Sequence, residues 1–478
     1  MIHRATELAV RAAPALRAAA CRSAASANCR SYAAAAAAPS GGKKTLVLLG
    51  TGWGTTTILK NLDAARFNVV VVSPRNYFLF TPLLPSCTVG TTESRSIMEP
   101  IRHIVGRRGM DVRYYEAACT DIDLARKELV LERGAEATAG AASTTRIGYD
   151  QLVVAVGATY NTFGTPGVQQ WGLFLKEMGD ATRIRQRLKE TIERASFGGL
   201  SDAELDRLLH VVVVGGGPTG VEFAGELRDL VAEDLRKWVP GLSRRFRITL
   251  VEALPAILPS FDARLSRYAE RVFHRNGIAL RTSTRVKQVT ERTIVIEGAD
   301  GIAAEMPYGL LVWSAGIRAR EFAHTLRAKV PDAQTSGRGL LIDDFLRVKG
   351  ATDIWALGDC TVSKNAPLAQ VASQQGRWLA RALNEMGRDA SVADPFRQIE
   401  ARAKPFEYVS NGSLAYIGSE KAIAQLPLLN TSVAIGGPLT SIFWKAYCLW
   451  ELSSVRSSLS VATDWAKRAM FGRTMTVD

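Results

Sequence analysis

The sequence predicts an α/β protein in which one parallel-sheet nucleotide-binding domain is inserted into another, followed by a smaller C-terminal helical region. Three observations predict it. Two strand–turn–helix units carry glycine-rich turns, at Gly50 and at Gly215. Two further apolar strands end in glycine, where a chain would leave one such domain and return. Beyond Pro438, apolar and aromatic residues recur at helical spacing beside basic ones.

The chain has 478 residues, with 60 Lys+Arg against 46 Asp+Glu and a net charge of +14. A hydrophobic share of 47% excludes a disordered chain, and six Cys at this length are no disulfide framework. Residues 1–42 hold Arg4, Arg11, Arg17, Arg22 and Arg30 against the single Glu7, in a background of Ala and Ser. Arg-rich, Ser-rich, acid-poor sequence reads as a transit peptide, and the arginines interrupt every apolar stretch that a secretory signal would need. The run Arg30-Ser31-Tyr32-Ala33 resembles a mitochondrial cleavage site. Loss of five Arg and one Glu would lower the charge from +14 to +10 and leave Cys87, Cys119, Cys360 and Cys448, with no C-x-x-C pair.

The first unit runs from the apolar strand Thr45–Leu49 into Gly50-Thr51-Gly52-Trp53-Gly54-Thr55, then into a helical pattern through Ile58, Leu59 and Leu62. Gly50 permits the tight turn, and Gly52 lets a pyrophosphate approach the backbone at the helix N-terminus. Thr55 stands where a third Gly or Ala is usual. The next strand, Asn68–Val72, ends in Ser73-Pro74-Arg75, with no acid for a ribose.

The second unit is complete: His210–Val214, then Gly215-Gly216-Gly217-Pro218-Thr219-Gly220, then a helix through Val221, Phe223, Ala224 and Leu227. Its next strand, Arg247–Val251, ends in Glu252. A carboxylate there accepts hydrogen bonds from a ribose diol and repels a 2′-phosphate, which predicts NADH rather than NADPH. Two such units predict two dinucleotides, and the one without the acid suits a tightly held flavin. Asp353–Cys360 (DIWALGDC) ends an apolar strand in Gly358-Asp359, where two-domain flavoproteins place an Asp against the ribityl chain of FAD. The strands ending at Gly157 and Gly316 are the crossovers. The expected organisation is FAD-domain segments 43–175 and 326–400 around an NADH domain at 176–325, with 401–478 as a membrane-associating and dimerising region.

Four stretches then resemble one family, the type II (alternative, rotenone-insensitive) NADH:ubiquinone oxidoreductases: Gly50–Leu59, Ser73–Ser86 (SPRNYFLFTPLLPS), Ala369–Gly376 (AQVASQQG), and the tail through Asp464-Trp465 and Phe471-Gly472-Arg473. The resemblance covers about residues 44–478. It implies hydride transfer from NADH to non-covalent FAD, and two electrons passed on to ubiquinone at the mitochondrial inner membrane. It implies that Gly50, Gly52, Gly54, Arg75, Gly157 and Asp359 hold FAD, and that Gly215, Gly217, Gly220 and Glu252 hold NADH. Glu222 matches a family carboxylate at the nicotinamide end, and reads equally as a first-turn acid favoured by the helix dipole. Gln370, Ser373 and Gln374 share one helix face by spacing. The family places glutamines here near the flavin and quinone, where an amide donates to a quinone carbonyl without becoming charged. Ser stands where some relatives carry His, so a His relay is not expected. The alternative reading is a polar helix face that packs on the flavin and never meets quinone. Thr81–Pro85 either shapes a tunnel or covers the flavin.

Ala422–Trp444 is uncharged over 23 residues, but Pro427, Asn430 and Gly436-Gly437-Pro438 break it, so a spanning helix is not expected. Leu439, Ile442, Phe443, Ala446, Leu449 and Trp450 then recur at helical spacing. With Trp444, Tyr447 and Trp465 as headgroup-level rings and Lys445, Arg456, Lys467, Arg468 and Arg473 as positive flanks, this reads as a helix in the membrane interface. The same face could instead pack on the core or on a second subunit; a homodimer is expected from the resemblance. Other readings are a disulfide or sulfide oxidoreductase, weak without paired cysteines, and a flavin-bearing sensor or assembly protein. No nucleic-acid motif, metal cluster or calcium loop is present in the sequence, and without a spanning segment no proton pumping is expected.

Overall fold

The structure, a computed structural model, describes residues 43–134, 144–386, 399–400, 402–428 and 431–475. The transit peptide expected at 1–42 lies outside the described residues.

The first nucleotide unit is β1 (Lys44–Leu49), α1 (Trp53–Asn61) and β2 (Phe67–Ser73), joined by β3 (Val112–Glu116) and β4 (Gln151–Val154). The chain then enters a second sheet at β5 (Leu173–Phe174), passes along α2 (Met178–Ser196), and builds β6 (His210–Val214), α3 (Pro218–Leu230), β7 (Arg247–Val251), β8 (Ile278–Arg281) and β9 (Leu310–Trp313). It returns to the first sheet with β10 (Ile354–Ala356), followed by α4 (Ala369–Glu385). Both sheets are five-stranded and parallel, in the orders β10-β4-β1-β2-β3 and β5-β9-β6-β7-β8. Parallel sheets are covered on both faces, which is why their strands are continuous apolar runs such as LVLL and VVVV. Leu46, Val47, Leu48, Val153, Val154 and Trp355 have no exposed surface. Each unit also carries a three-stranded antiparallel meander, Ala118–Gly148 in the first and Arg285–Pro307 in the second.

The crossovers stand side by side as an antiparallel pair, Ala158–Tyr160 on Ile317–Ala319. The second sheet thus begins at Leu173, ahead of the expected boundary at 176. The chain is back beside the first unit by Glu321–Lys329, whose Lys329 pairs with Asp121 at 2.9 Å, so the return also precedes residue 325.

The C-terminal region is an antiparallel sheet, β11 (Ser413–Tyr416), β12 (Ala422–Leu428) and β13 (Thr431–Gly437), then α5 (Pro438–Glu451) and α6 (Val455–Phe471). The apolar run that precedes residue 438 is therefore a hairpin, because Pro427 and the Gly-Gly-Pro break rule out a continuous helix. Among the described residues no helix is long and apolar enough to cross a membrane.

α6 is bolted to both nucleotide units. At its start Ser454 and Ser457 donate to the buried Glu99 at 2.7 and 3.0 Å, and in its middle Asp464 accepts from Ser96 at 2.6 Å. At its end Arg468 donates to Glu233 at 2.7 Å, and just beyond it Arg473 donates to Asp234 at 2.7 Å.

Candidate active site

The two glycine turns are built alike. Gly50 has φ +102° and Gly215 φ +111°, a region that L side chains rarely adopt. A Cβ on Gly50 would lie 2.4 Å from the Ala155 carbonyl oxygen, and one on Gly215 would lie 2.9 Å from the Ala315 nitrogen. In each unit the strand beside the turn closes on the missing side chain. Gly54 and Gly220 are packing positions: a Cβ would strike Leu357 Cδ1 and the Gly215 oxygen, respectively. Gly52, Gly157 and Gly217 differ, since a Cβ there would meet no atom within 4 Å. Open backbone at the head of α1 and of α3 is a cradle that accommodates a dinucleotide diphosphate, with the helix N-termini supplying positive potential.

Around the first turn, the Thr51 hydroxyl donates to the Arg75 carbonyl at 3.1 Å, and Arg75 reaches Glu177 at 2.5 Å. Asp359 follows β10 and pairs with Lys176 at 3.3 Å. Arg75 and Asp359 therefore flank the same sheet edge, where FAD ribose, phosphate and ribityl hydroxyls would find a cation and a carboxylate. Around the second turn, Glu252 accepts from the Gly216 amide at 2.5 Å and the Leu254 amide at 2.7 Å. Its carboxylate lies directly beside the turn, in reach of a ribose diol.

Glu222 is buried and lies past the first turn of α3, which holds no acid, so it is not a first-turn acid favoured by the helix dipole. Its only hydrogen bond among the described residues is from the Tyr416 amide at 3.3 Å, and burial raises its pKa to about 8. Asp229 lies along the same helix, accepts from the Tyr416 hydroxyl at 2.6 Å, and is raised by burial to about 7. Glu226 between them is also raised by burial and accepts from Thr91 at 2.6 Å. Near neutral pH Glu222 and Asp229 can hold protons.

Gln370 and Gln374 lie together on α4, but both amides bind main chain: Gln370 donates to Gly412 and Gln374 to Val409, each at 2.7 Å. They secure residues 408–412, the entry to β11. Gln375, on the other face and missed from the sequence, is buried and accepts from the Gly358 amide at 2.8 Å, so it fixes the turn that carries Asp359. The repeated Gln at 374–375 was the only available signal. Thr81–Pro85 continues into the buried turn Leu84–Cys87, which packs against α2 and α3 in the interior.

The C-terminal reading needs two corrections. Trp444 is buried, with its ring 5.4 Å from that of Tyr416, so it cannot reach a headgroup layer, while the half-buried Trp465 tilts against it at 6.3 Å. Lys445 and Arg468 pair with Glu420, each at 2.5 Å, and Arg473 is fully buried among Asp234, Glu233 and Thr91. Of the five cations assigned to the membrane, only Arg456 and Lys467 are exposed. The apolar face itself is present: Leu439, Ile442, Phe443 and Trp450 on α5 and Val455 and Leu459 on α6 are exposed, Trp450 by 85%.

The four cysteines in the described residues are free, and burial pushes every thiol up, Cys119 and Cys360 to about 12. Protonated, unpaired thiols are poor redox groups, which disfavours disulfide chemistry.

Comparison with known proteins adds independent findings. Residues 44–376 match the pyridine nucleotide-disulphide oxidoreductase family, and residues 411–474 match the NDH2 C-terminal domain. The chain is 44% identical to the external alternative NADH-ubiquinone oxidoreductase, mitochondrial, of Yarrowia lipolytica, covering 90% of this chain and 80% of that protein. It is 43% identical to external NADH-ubiquinone oxidoreductase 2 of Saccharomyces cerevisiae, covering 91% and 82%. The structure of NDH2 from Plasmodium falciparum in complex with NADH superposes with a TM-score of 0.84 at 26% identity, over 91% of this chain and all of that one.

Proposed function

The chain belongs to the type II NADH dehydrogenases within the pyridine nucleotide-disulphide oxidoreductase family, and from that premise we propose how its residues divide the work. It is a mitochondrial NADH:ubiquinone oxidoreductase that uses FAD. FAD, held at the first glycine turn by Gly52, Arg75 and Asp359, would supply the hydride-accepting and electron-passing chemistry between NADH and ubiquinone.

Gly52 and Gly157 give the FAD diphosphate room against the backbone, Gly50 makes the tight turn between them, and the N-terminus of α1 faces the charge. Arg75 and Asp359 anchor the two ends of that crevice. Gly217 does the same for NADH, while Gly215 and Gly220 let its turn and helix pack closely, and Glu252 turns from the neighbouring amides to the ribose diol. The observation that carries this reading is the pair of open cradles at Gly52 and Gly217, at matching ends of two parallel sheets.

Glu222 lies in the second turn of α3, where the NADH unit meets β11. With a pKa of about 8 it carries a proton at neutral pH and can release it when negative charge develops nearby. Quinone reduction consumes two protons, so an acid poised in this range suits the task. Gln370 and Gln374 hold the 408–412 segment over the flavin side and act on quinone by shaping its approach.

The apolar face of α5 and α6 docks on the membrane, where ubiquinone resides, and continues into a homodimer contact. Its exposed rings and aliphatic side chains would each contribute roughly 1–3 kcal/mol if removed from water. The relatives named external favour the same orientation for this enzyme. NADH oxidation by purified, flavin-loaded protein with a short-chain ubiquinone tests the activity, and liposome flotation of a variant with Ile442 and Trp450 changed to Ser tests the docking face. Flotation equal to wild type contradicts it. NADH oxidation by intact mitochondria tests the orientation.

A further inference from the structure

At residues 176 and 177 the second nucleotide unit reaches over the first unit's crevice with paired charges. They lie between β5, in the second sheet, and α2. The buried carboxylate of Asp180 accepts from the Lys176 amide at 2.9 Å and from the Glu177 amide at 2.8 Å, which fixes the backbone and sends the two side chains in different directions. Lys176 reaches Asp359, beyond β10, at 3.3 Å. Glu177 places one oxygen on Arg75, beyond β2, at 2.5 Å and the other on Arg320, beyond the return crossover.

In the sheet order β10-β4-β1-β2, Asp359 and Arg75 follow strands three spacings apart, about 14 Å. Between them lies the carboxyl edge of β1 and β4, with the Gly50 turn and Gly157. The connection is direct on the Arg75 side: the Arg75 amide donates to the Ser73 hydroxyl at 3.1 Å, and its carbonyl accepts from Thr51, inside the turn, at 3.1 Å. On the other side, Gln375 holds the Gly358 amide next to Asp359 at 2.8 Å.

We propose that Lys176 and Glu177 are positioning residues that strap the FAD crevice shut from the NADH domain, holding Arg75 and Asp359 in place for the bound dinucleotide. This rests on the flavoenzyme reading above. The strap explains how one unit can keep its dinucleotide through many turnovers while the other exchanges. Arg320 ties the same carboxylate to the returning chain, so both crossings of the polypeptide between domains are fastened at Glu177. The pairs are partly exposed, 32% at Lys176 and 31% at Glu177, so salt weakens them.

The test is the rate of FAD release from purified holoenzyme, read as the rise in free-flavin fluorescence, for wild type, K176M, E177Q and the double variant. R187A, which breaks an exposed pair with Glu190 on α2, is the control. FAD release is expected to accelerate about tenfold in E177Q, less in K176M, and most in the double variant, with E177D restoring part of the loss and R187A unchanged. Wild-type release should also accelerate as salt is raised, a reading that needs no variant to fold. Release within twofold of wild type in both single variants and the double, or a salt-independent wild-type rate, overturns the strap while leaving the flavoenzyme intact. A wild-type protein that purifies without flavin overturns both.

Discussion

The two nucleotide units share a plan and differ in what surrounds their turns. Gly50 and Gly215 adopt the same left-handed conformation against the same kind of neighbouring strand. Yet α1 (WGTTTILKN) carries no acidic residue, whereas α3 carries buried Glu222, Glu226 and Asp229. The first crevice is roofed by ion pairs from a distant part of the chain. In the second, Glu252 is held by two amides at and beside its own turn, both of which it can exchange for ligand hydroxyls. One site is built to retain its dinucleotide, the other to let one go and to keep protons at hand. A common fold sets where the ligands lie; the charges around the turn set how long they stay.

The second unit also leans on the C-terminal tail, and breaking that contact should have the largest effect. Arg473→Met removes one partner from a buried cluster with Asp234 and Glu233, at a cost of about 3–5 kcal/mol. Thermal unfolding should drop sharply, with NADH affinity lost before flavin; loss of flavin first would break the comparison.

Gly50→Ala and Gly215→Ala impose similar strain, of order 1–3 kcal/mol, at equivalent positions. Gly50→Ala should lower the flavin-to-protein ratio, while Gly215→Ala should keep flavin and raise the KM for NADH. Equal flavin loss in both would contradict the assignment of the two units.

Glu222→Gln tests the protonated acid. Its folded pKa of about 8 lies above its unfolded value near 4.5, so the stability it confers is complete below that lower value and is lost as pH rises through about 8. Wild-type Tm should fall as pH rises through this window, and the variant, neutral throughout, should fall less. The kcat with quinone should also drop; an unchanged pH dependence of both would remove Glu222 from proton supply. The smallest effect is expected for Glu252→Gln: a shift of about tenfold, roughly 1.4 kcal/mol, in the kcat/KM ratio of NADH to NADPH. An unchanged ratio would detach specificity from this residue.

Much of the fold is legible because it rests on local signals. Apolar runs of four or five residues ending in glycine mark parallel strands, and Gly-x-Gly at a strand end marks a dinucleotide turn. The nested domain order follows from the two crossover strands. What sequence could not show depends on contacts between distant residues. Lys445, Arg468 and Arg473 read as free cations because their partners, Glu420, Glu233 and Asp234, lie 25 or more positions away. Helical spacing put Trp444 near the apolar face, but only its ring contact with Tyr416 shows that it points inward. Gln370 and Gln374 share a face as expected, yet that face meets the main chain of 409–412, which no periodicity reveals. Nothing in the sequence around Lys176 and Glu177 points to Asp359 and Arg75, which the structure sets beside them.

The central claim is that the first unit carries a flavin that the second unit's NADH reduces and that ubiquinone reoxidises. An anaerobic titration of the purified protein tests it in one cuvette. Stoichiometric NADH should bleach the visible flavin band, and added ubiquinone should restore it. A flavin band that NADH leaves unchanged, or a bleached band that ubiquinone does not restore, would contradict the account.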